Sequence, residues 1–164
     1  EEALTMSDKV VVMHHGVVQQ IGRPKDIYDE PCNAFVADFI GDSNILQGTM
    51  LCDRLVEIQG VKTDCVDEGF GKNEIVDVVI RPEDIEIGEV SQGRMDGVVT
   101  SILYKGAHYE ITIHACGYDW LALNTVAYPV GSNISIYVKP FNIQIMKHMD
   151  EAERIIEEDV VNEE

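Results

Sequence analysis

The sequence predicts a mainly β protein in which a small β-barrel follows a β-hairpin and two short helices. Three observations predict this fold class. Short runs of β-branched and alternating residues fill most of the chain, turn residues separate them at the roughly 8–12-residue spacing of small barrels, and one stretch between prolines has helical spacing instead. With 164 residues, 45% of them hydrophobic, the chain is long enough for one domain, or for one domain and part of another.

Two apolar runs near the start of the chain predict the hairpin. They are residues 9–13 and 17–21, and the His14-His15-Gly16 segment between them has the length and the glycine of a turn. A two-stranded hairpin is too small to be stable alone. We therefore expect it to belong to a larger sheet that lies mostly outside this chain.

The stretch GRPKDIYDEPCNAFVADFIG, residues 22–41, predicts two short helices. Pro24 suits the first position of a helix, and Pro31 ends that helix because proline disfavours a helical residue before it. Asn33 is a favourable N-cap for the second helix. Gly41 stands where a C′ glycine would end it.

The second helix carries an apolar stripe. Phe35, Val36, Phe39 and Ile40 recur with helical spacing. We expect Phe35 and Phe39 to anchor the helix on a neighbouring surface, so both are candidate interface residues.

After residue 41 the pattern is β to residue 149. Strict alternation over residues 93–104 places Val98, Thr100 and Ile102 on one face, and Lys105 with Gly106 predicts a turn or a bulge. The expected strands are residues 44–52, 55–59, 61–65, 75–80, 93–104, 108–115, 118–124, 132–138 and 142–146. Residues 150–164 contain eight acids and are expected to be a frayed acidic tail.

The acidic composition limits the possible partners. The chain has 12 Lys and Arg against 30 Asp and Glu, which gives a net charge of −18. Nucleic-acid binding needs clustered Lys and Arg, so nucleic acid is not expected as a partner. A cationic polyamine is compatible with this charge, although repulsion that keeps the protein soluble explains the same composition.

The sequence patterns that mark common catalytic sites are absent. There is no phosphate-cradling loop with Gly-Lys-Ser/Thr, no GxSxG and no HExxH. His14 and His15 are adjacent, which predicts a turn rather than a shared metal ion. The four cysteines form no CxxC pair, so free, mostly buried thiols of a reducing compartment are expected. We predict no catalytic, cofactor-binding or metal-binding residue in this chain.

Five further candidate contact residues lie in the β region. Arg81 and Glu83 follow a strong strand pattern. Glu83 and Asp84 are interpreted either as part of a solvated rim or as a functional acid pair. Tyr104 and Lys105 mark either a bend or a contact loop. The only tryptophan, Trp120, is expected in the core or at the barrel rim, with ligand stacking as the alternative.

Residues 1–41 resemble the end of the ATPase domain of ABC importers of the maltose/polyamine type. That family has an Asp-Gln-Glu-Glu-Ala-like segment, which residues 1–3 match in part, followed by a hairpin with Met-x-x-Gly. The matching positions here are Met13 to Gly16, Gln20-Ile21-Gly22, Pro24, Ile27-Tyr28, Pro31, Asn33, Phe35-Val36-Ala37 and Phe39-Ile40-Gly41.

The following segment resembles the C-terminal regulatory domain of that family, the TOBE domain. Arg81-Pro82-Glu83-Asp84 matches its Arg-Pro-Glu signature, and Tyr104-Lys105-Gly106 stands at its Tyr-x-Gly turn. Residues 39–46 and 104–110 are most similar to spermidine/putrescine importer ATPases. The resemblance implies an OB-like barrel of the TOBE type at 42–149, after an ATPase-domain remnant at 1–21 and a helical connector at 22–41.

The resemblance also implies a role. The parent subunit would bind ATP and Mg²⁺, hydrolyse ATP and work with transmembrane permease subunits, as a cytoplasmic protein on the inner face of the membrane. Its phosphate loop, Walker B acid, signature motif and switch histidine would all precede residue 1, so this chain alone is not expected to be an enzyme. The chain would form a homodimer and act as the regulatory domain of the ATP-binding subunit. A small-molecule sensor of a sugar- or anion-type importer, or a stand-alone OB-type binding module, are the alternatives.

Overall fold

The computed structural model describes residues 9–93 and 95–148, and these form two compact units. Of the described residues, one unit contains 9–41 together with 146–148, and the other contains those of 42–145. The predicted acidic tail, residues 150–164, lies outside the described residues. Neither of the two described helices has the length and apolar character needed to cross a membrane.

The first unit begins with the predicted hairpin. Strand β1, Val10–His14, pairs antiparallel with β2, Val17–Gly22. The turn between them has φ of 49° at His15 and 80° at Gly16. Two successive left-handed residues give the turn geometry whose twist matches that of paired strands, which explains the glycine.

Both predicted helices are present. Helix α1 is Pro24–Asp29 and helix α2 is Ala34–Ile40. The Asn33 side chain accepts a hydrogen bond from Val36 N at 2.9 Å, as its N-cap position predicts. The second helix ends at Ile40 with Gly41 as its C-cap, as predicted, and the φ of −176° at Gly41 is extended backbone open to any residue.

The helices pack on one face of the hairpin. Val12, Ile27, Val36 and Ile40 form a small buried cluster, against which the half-buried Phe35 also packs. Phe39 is 65% exposed and stacks beside Phe35 with ring centroids 6.0 Å apart. In the described residues, Phe35 therefore anchors α2 and Phe39 does not.

Two five-stranded sheets lie in the second unit, except that the last strand ends with Met146 and Lys147, which are assigned to the first unit. In the first the strand order is β10-β9-β8-β11-β7, and in the second it is β12-β6-β3-β4-β5. The strands are β3 Asn44–Cys52, β4 Leu55–Ile58, β5 Val61–Asp64, β6 Glu74–Ile80, β7 Glu86–Gly88, β8 Met95–Tyr104, β9 Tyr109–Ala115, β10 Tyr118–Asn124, β11 Asn133–Tyr137 and β12 Gln144–Lys147.

One hydrophobic core connects the two sheets. It combines inward side chains of the first sheet, such as Ile111 and Ile113, with those of the second, such as Val56 and Val76, all of which are fully buried. The mainly β fold class, with a preceding hairpin and two short helices, is confirmed.

The structure differs from the sequence-based expectation in two details. The strict alternation expected along β8 is interrupted by a bulge between Val99 and Ser101. The extra residue lets Val99 and Ile102 both face inward, whereas alternation had separated Ile102 from Val99. The cysteines are free, but only Cys65 is buried; Cys32, Cys52 and Cys116 are exposed, so the expectation of mostly buried thiols is wrong.

Candidate functional site

The Arg-Pro-Glu-Asp segment forms a tight turn between the two sheets. Strand β6 ends at Ile80, and a 3-10 helix, Pro82–Asp84, leads into β7. Asp84 N donates to Arg81 O at 3.0 Å and closes the turn. The Arg81 side chain is only 4% exposed, and its Nη1 donates to Ser43 Oγ at 2.6 Å. Arg81 therefore fastens the turn to the segment before β3, while Glu83 is exposed.

Asp84 carries an electrostatic penalty within this turn. Burial, and then the neighbouring Glu83 carboxylate, raise the pKa of Asp84 above its ordinary value, against the opposing effect of the Arg81 guanidinium. The folded protein therefore holds this proton more tightly than the unfolded chain. The resulting stabilisation is complete below the ordinary aspartate pKa of about 3.9 and is lost as the pH rises through the raised pKa.

We expect Asp84→Asn to stabilise the protein at pH 7, because the amide removes a half-buried charge. The gain should shrink toward pH 4, where Asp84 becomes protonated in the folded state. Urea unfolding midpoints measured between pH 4 and pH 7 test this. The reciprocal change in the second turn described below, Asn142→Asp, should lower the midpoint at pH 7. A gain from Asp84→Asn that does not depend on pH would contradict the electrostatic explanation.

A second turn repeats the geometry of the first. Residues 138–143, Val-Lys-Pro-Phe-Asn-Ile, align with residues 80–85, Ile-Arg-Pro-Glu-Asp-Ile. A 3-10 helix, Pro140–Asn142, is closed by Asn142 N donating to Lys139 O at 2.9 Å, and the backbone before and after it matches that of the first turn. The repeat is visible in the sequence when the sequence is compared with itself, and it is not among the patterns described above.

The strand that follows each repeated turn lies beside the strand that precedes the other turn. The strand after the first turn, β7, pairs with β11, which precedes the second turn. The strand after the second turn, β12, neighbours β6, which precedes the first turn. The second turn differs in presenting Phe141, which is 66% exposed where the first turn has Glu83.

The Tyr-Lys-Gly segment forms the turn between β8 and β9, and the bulge in β8 lies further back. Lys105 N donates to His108 O at 2.9 Å, and Lys105 Nζ lies 3.6 Å from a Glu110 carboxylate oxygen. The Tyr104 hydroxyl donates to Gly106 O, although the Tyr104 side chain is 63% exposed. The two predicted contact residues of this turn, Tyr104 and Lys105, are thus both accessible.

Trp120 lies in the core at 1% exposure. Its indole N–H donates to Ala115 O at 3.2 Å, and its ring meets Tyr118 edge-on at 4.9 Å. Its strand, β10, packs against the first 3-10 turn. Trp120 and Arg81, at 1% and 4% exposure, are thus both buried in the described structure.

Asn44 joins the two sheets and was missed by sequence reasoning. It is 1% exposed; its Nδ2 donates to Leu121 O at 2.8 Å and to Ile80 O at 3.2 Å. Its Oδ1 accepts from Leu121 N at 2.7 Å. Because β10 is an outer strand, the Asn44 amide supplies the donor and acceptor that a neighbouring strand would otherwise provide.

The geometry thus combines a buried core shared by the two sheets with turns that remain accessible. Among the described residues, no group of three or more His, Cys, Asp or Glu side chains is arranged to hold a metal ion. The exposed candidates Glu83 and Lys105 lie on turns of the second unit, Tyr104 ends strand β8 of that unit, and Phe39 lies on α2 of the first.

Comparison with known proteins points to one group of transport proteins. Residues 78–140 match the TOBE domain family. The chain is 57% identical over 150 residues to the spermidine/putrescine import ATP-binding protein PotA of Acetivibrio thermocellus, which covers 92% of the chain and 43% of that protein. The PotA protein of Bacteroides thetaiotaomicron is 55% identical over 148 residues, which cover 90% of the chain and 32% of that protein. The PotA protein of Desulfitobacterium hafniense is 52% identical over 147 residues, which cover 90% of the chain and 42% of that protein. The chain thus spans less than half the length of these relatives.

A solved structure supports the fold alone. The cytoplasmic molybdate-binding protein ModG, in a crystal form with molybdate bound, superimposes with a TM-score of 0.55 at 16% identity. The match covers 64% of this chain and 96% of that one. The resemblance predicted from the sequence is therefore confirmed: the chain matches the C-terminal part of spermidine/putrescine import ATP-binding proteins and contains a TOBE domain with an OB-like fold.

Proposed function

We propose that this chain is the regulatory and dimerisation region of the ATP-binding subunit of a polyamine importer. The observation that carries the proposal is the 57% identity over 150 residues to a PotA protein, together with the TOBE match at residues 78–140. Identity at this level extends through the hairpin and helices as well as the barrel.

The described architecture supports a mechanical role. Two sheets share one continuous core, Asn44 ties them together, and the Arg81 side chain fixes the turn between them. Such a body can hold two subunits in place while their catalytic domains approach and separate. The exposed Glu83 and Lys105 offer contacts to a second copy or to a regulator.

The parent subunit, in this proposal, binds ATP and Mg²⁺ outside this chain and couples hydrolysis to the uptake of spermidine or putrescine. It acts at the cytoplasmic face of the membrane with transmembrane permease subunits. This chain supplies none of the hydrolytic groups.

A chimera tests the proposal. The segment of the Acetivibrio thermocellus relative that matches this chain is replaced by this chain, and spermidine uptake is measured in cells that lack their own importer. We expect uptake close to that of the unmodified relative, because the replaced segment keeps its fold and surfaces. The same relative without the segment is the control. A chimera that accumulates and binds ATP but imports no polyamine would contradict the proposal.

A further inference from the structure

Half of strand β8 has an open edge. Along Met95–Val98 the strand pairs with β11 on one side and, from Gly97, with β9 on the other. Gly131 N donates a hydrogen bond to Val99 O, and Ser132 O accepts one from Val99 N. These two bonds are the last on the β11 side of the strand. Among the described residues, no strand pairs with residues 100–104 on the side away from β9.

The hydrogen-bonding pattern shows which backbone groups face this edge. Lys105 N donates to His108 O, so the backbone hydrogen-bonding groups of Lys105 point toward β9. The backbone groups of successive residues in an antiparallel pair alternate in direction, so the N–H and C=O groups of Leu103, two residues earlier, also point toward β9. The N–H and C=O groups of Ile102 and Tyr104 therefore point outward, toward the open edge.

The edge is complementary to a second copy of itself. If a two-fold axis passes beside Leu103, Ile102 of one copy lies opposite Tyr104 of the other, and four backbone hydrogen bonds form between the chains. Leu103, which is 53% exposed, then faces Leu103 of the second copy in a close, non-hydrogen-bonded pair. Tyr104, 63% exposed, is covered by Ile102 of the second copy.

The other outer strands of the two five-stranded sheets lack such an edge. Strand β7 has three residues and includes Glu86, β5 carries Lys62 and Asp64, and β12 ends at Lys147. Strand β10 is capped at its centre by Asn44. Short length and charge are the features by which proteins protect sheet edges, and residues 100–104, Thr-Ser-Ile-Leu-Tyr, have neither.

Charge also favours this segment as the meeting point of two copies. At a net charge of −18, two chains repel one another over most of their surfaces. Residues 100–104 carry no charge, and the adjacent Lys105 and Glu110 neutralise each other at 3.6 Å.

We propose that the dimer included in the function proposed above forms by antiparallel pairing of residues 100–104 of two copies, which joins their first sheets into one continuous sheet. The inference rests on that proposed dimerisation. Five residues a side bury less than the about 1,200 Å² of a stable complex, so in isolation the dimer is weak and depends on concentration.

Cysteine trapping tests the register. In a chain whose exposed Cys32, Cys52 and Cys116 are replaced by serine, Leu103→Cys should form a disulfide-linked dimer with oxidised glutathione, because the paired Cα atoms are about 4.5 Å apart. Val98→Cys is the matched control, since Val98 is 39% exposed on the same strand but lies where β11 is paired. It should give no cross-linked dimer.

Sedimentation equilibrium provides the second measurement. Leu103→Lys places two positive charges across the axis and should raise the dimer dissociation constant about tenfold or more. A dimer that is insensitive to Leu103→Lys and is not trapped through Leu103→Cys forms through another surface, which overturns this inference and leaves the proposed dimerisation intact. A chain that is monomeric at every concentration and is never trapped overturns both, whereas the uptake of the chimera tests the transport function separately.

Discussion

Replacing Trp120 by alanine is expected to cost about 3–5 kcal/mol of unfolding free energy, a large part of the roughly 5–15 kcal/mol that stabilises a typical domain. The indole is 1% exposed and lies between the two sheets of the core. Alanine leaves a cavity, removes the edge-on contact with Tyr118 and leaves Ala115 O without the indole donor. Urea unfolding followed by far-UV circular dichroism measures the loss, because the variant has no tryptophan fluorescence.

Trp120→Phe separates packing from hydrogen bonding. Phenylalanine fills much of the space but cannot donate to Ala115 O, so we expect a smaller loss of roughly 1–3 kcal/mol. If Trp120→Ala costs less than about 1 kcal/mol, the core collapses around the missing ring and the buried indole is not a principal packing element.

Replacing Asn44 by alanine should destabilise the second unit by roughly 2–5 kcal/mol, although only a small polar side chain is lost. The substitution leaves both the N–H and the C=O of Leu121 without their Asn44 partner, and each unpaired buried group costs about 1–3 kcal/mol. Urea unfolding gives the total, and amide hydrogen exchange at Leu121 reports the local effect. We expect faster exchange at Leu121 than at Trp120, whose strand pairing with β9 remains.

Asn44→Asp is the matched control for this second prediction. The carboxylate still accepts from Leu121 N, but at neutral pH it offers two carbonyl oxygens no donor and buries a charge. It should therefore be at least as destabilising as alanine at pH 7 and recover part of the loss at acidic pH, where a protonated carboxyl can donate again. Equal stability of Asn44→Asp and the unchanged chain at pH 7 would show that the donated bonds contribute little.

Much of the β architecture could be predicted because its patterns are local. Residues 118–124 alternate and end in turn residues, and β10 occupies the same residues in the structure. The three strands β3, β4 and β5 agree with their predicted ranges to within about one residue. Alternation reports which residues share a face, and the face buried in a small barrel follows from hydrophobicity.

The remainder depends on contacts that local patterns do not contain. Asn44 acts through a strand 77 residues away, and an asparagine at the start of a strand is typical of a turn when it is considered locally. Helical spacing grouped Phe39 with Val36 and Ile40, but the buried pair is Val36 and Ile40, while Phe39 lies on an adjacent, exposed face. The bulge in β8 changed the face of Ile102, since one extra residue reverses an alternating pattern.

For the candidate contact residues, too, the sequence identifies positions but not their exposure. The resemblance identifies Arg81 and Tyr104 as notable positions, but only the structure shows that Arg81 is buried against Ser43 and that Tyr104 is accessible. The open edge of β8 could not be inferred from sequence, because it depends on where β11 stops pairing.

The way in which the strand after each repeated turn lies beside the strand before the other has a consequence for how the molecule acquires its fold during synthesis. Strands β11 and β12 are the last described strands to emerge from the ribosome, and each sheet needs one of them. Until they arrive, β6 and β8 each lack a neighbour, so neither sheet can close early and act as a template for the other. Pairing of this kind joins residues distant in sequence, which slows folding relative to proteins with local contacts. The barrel therefore folds late and as a unit, and a nascent chain that stalls before Asn133 leaves two unpaired edges at once.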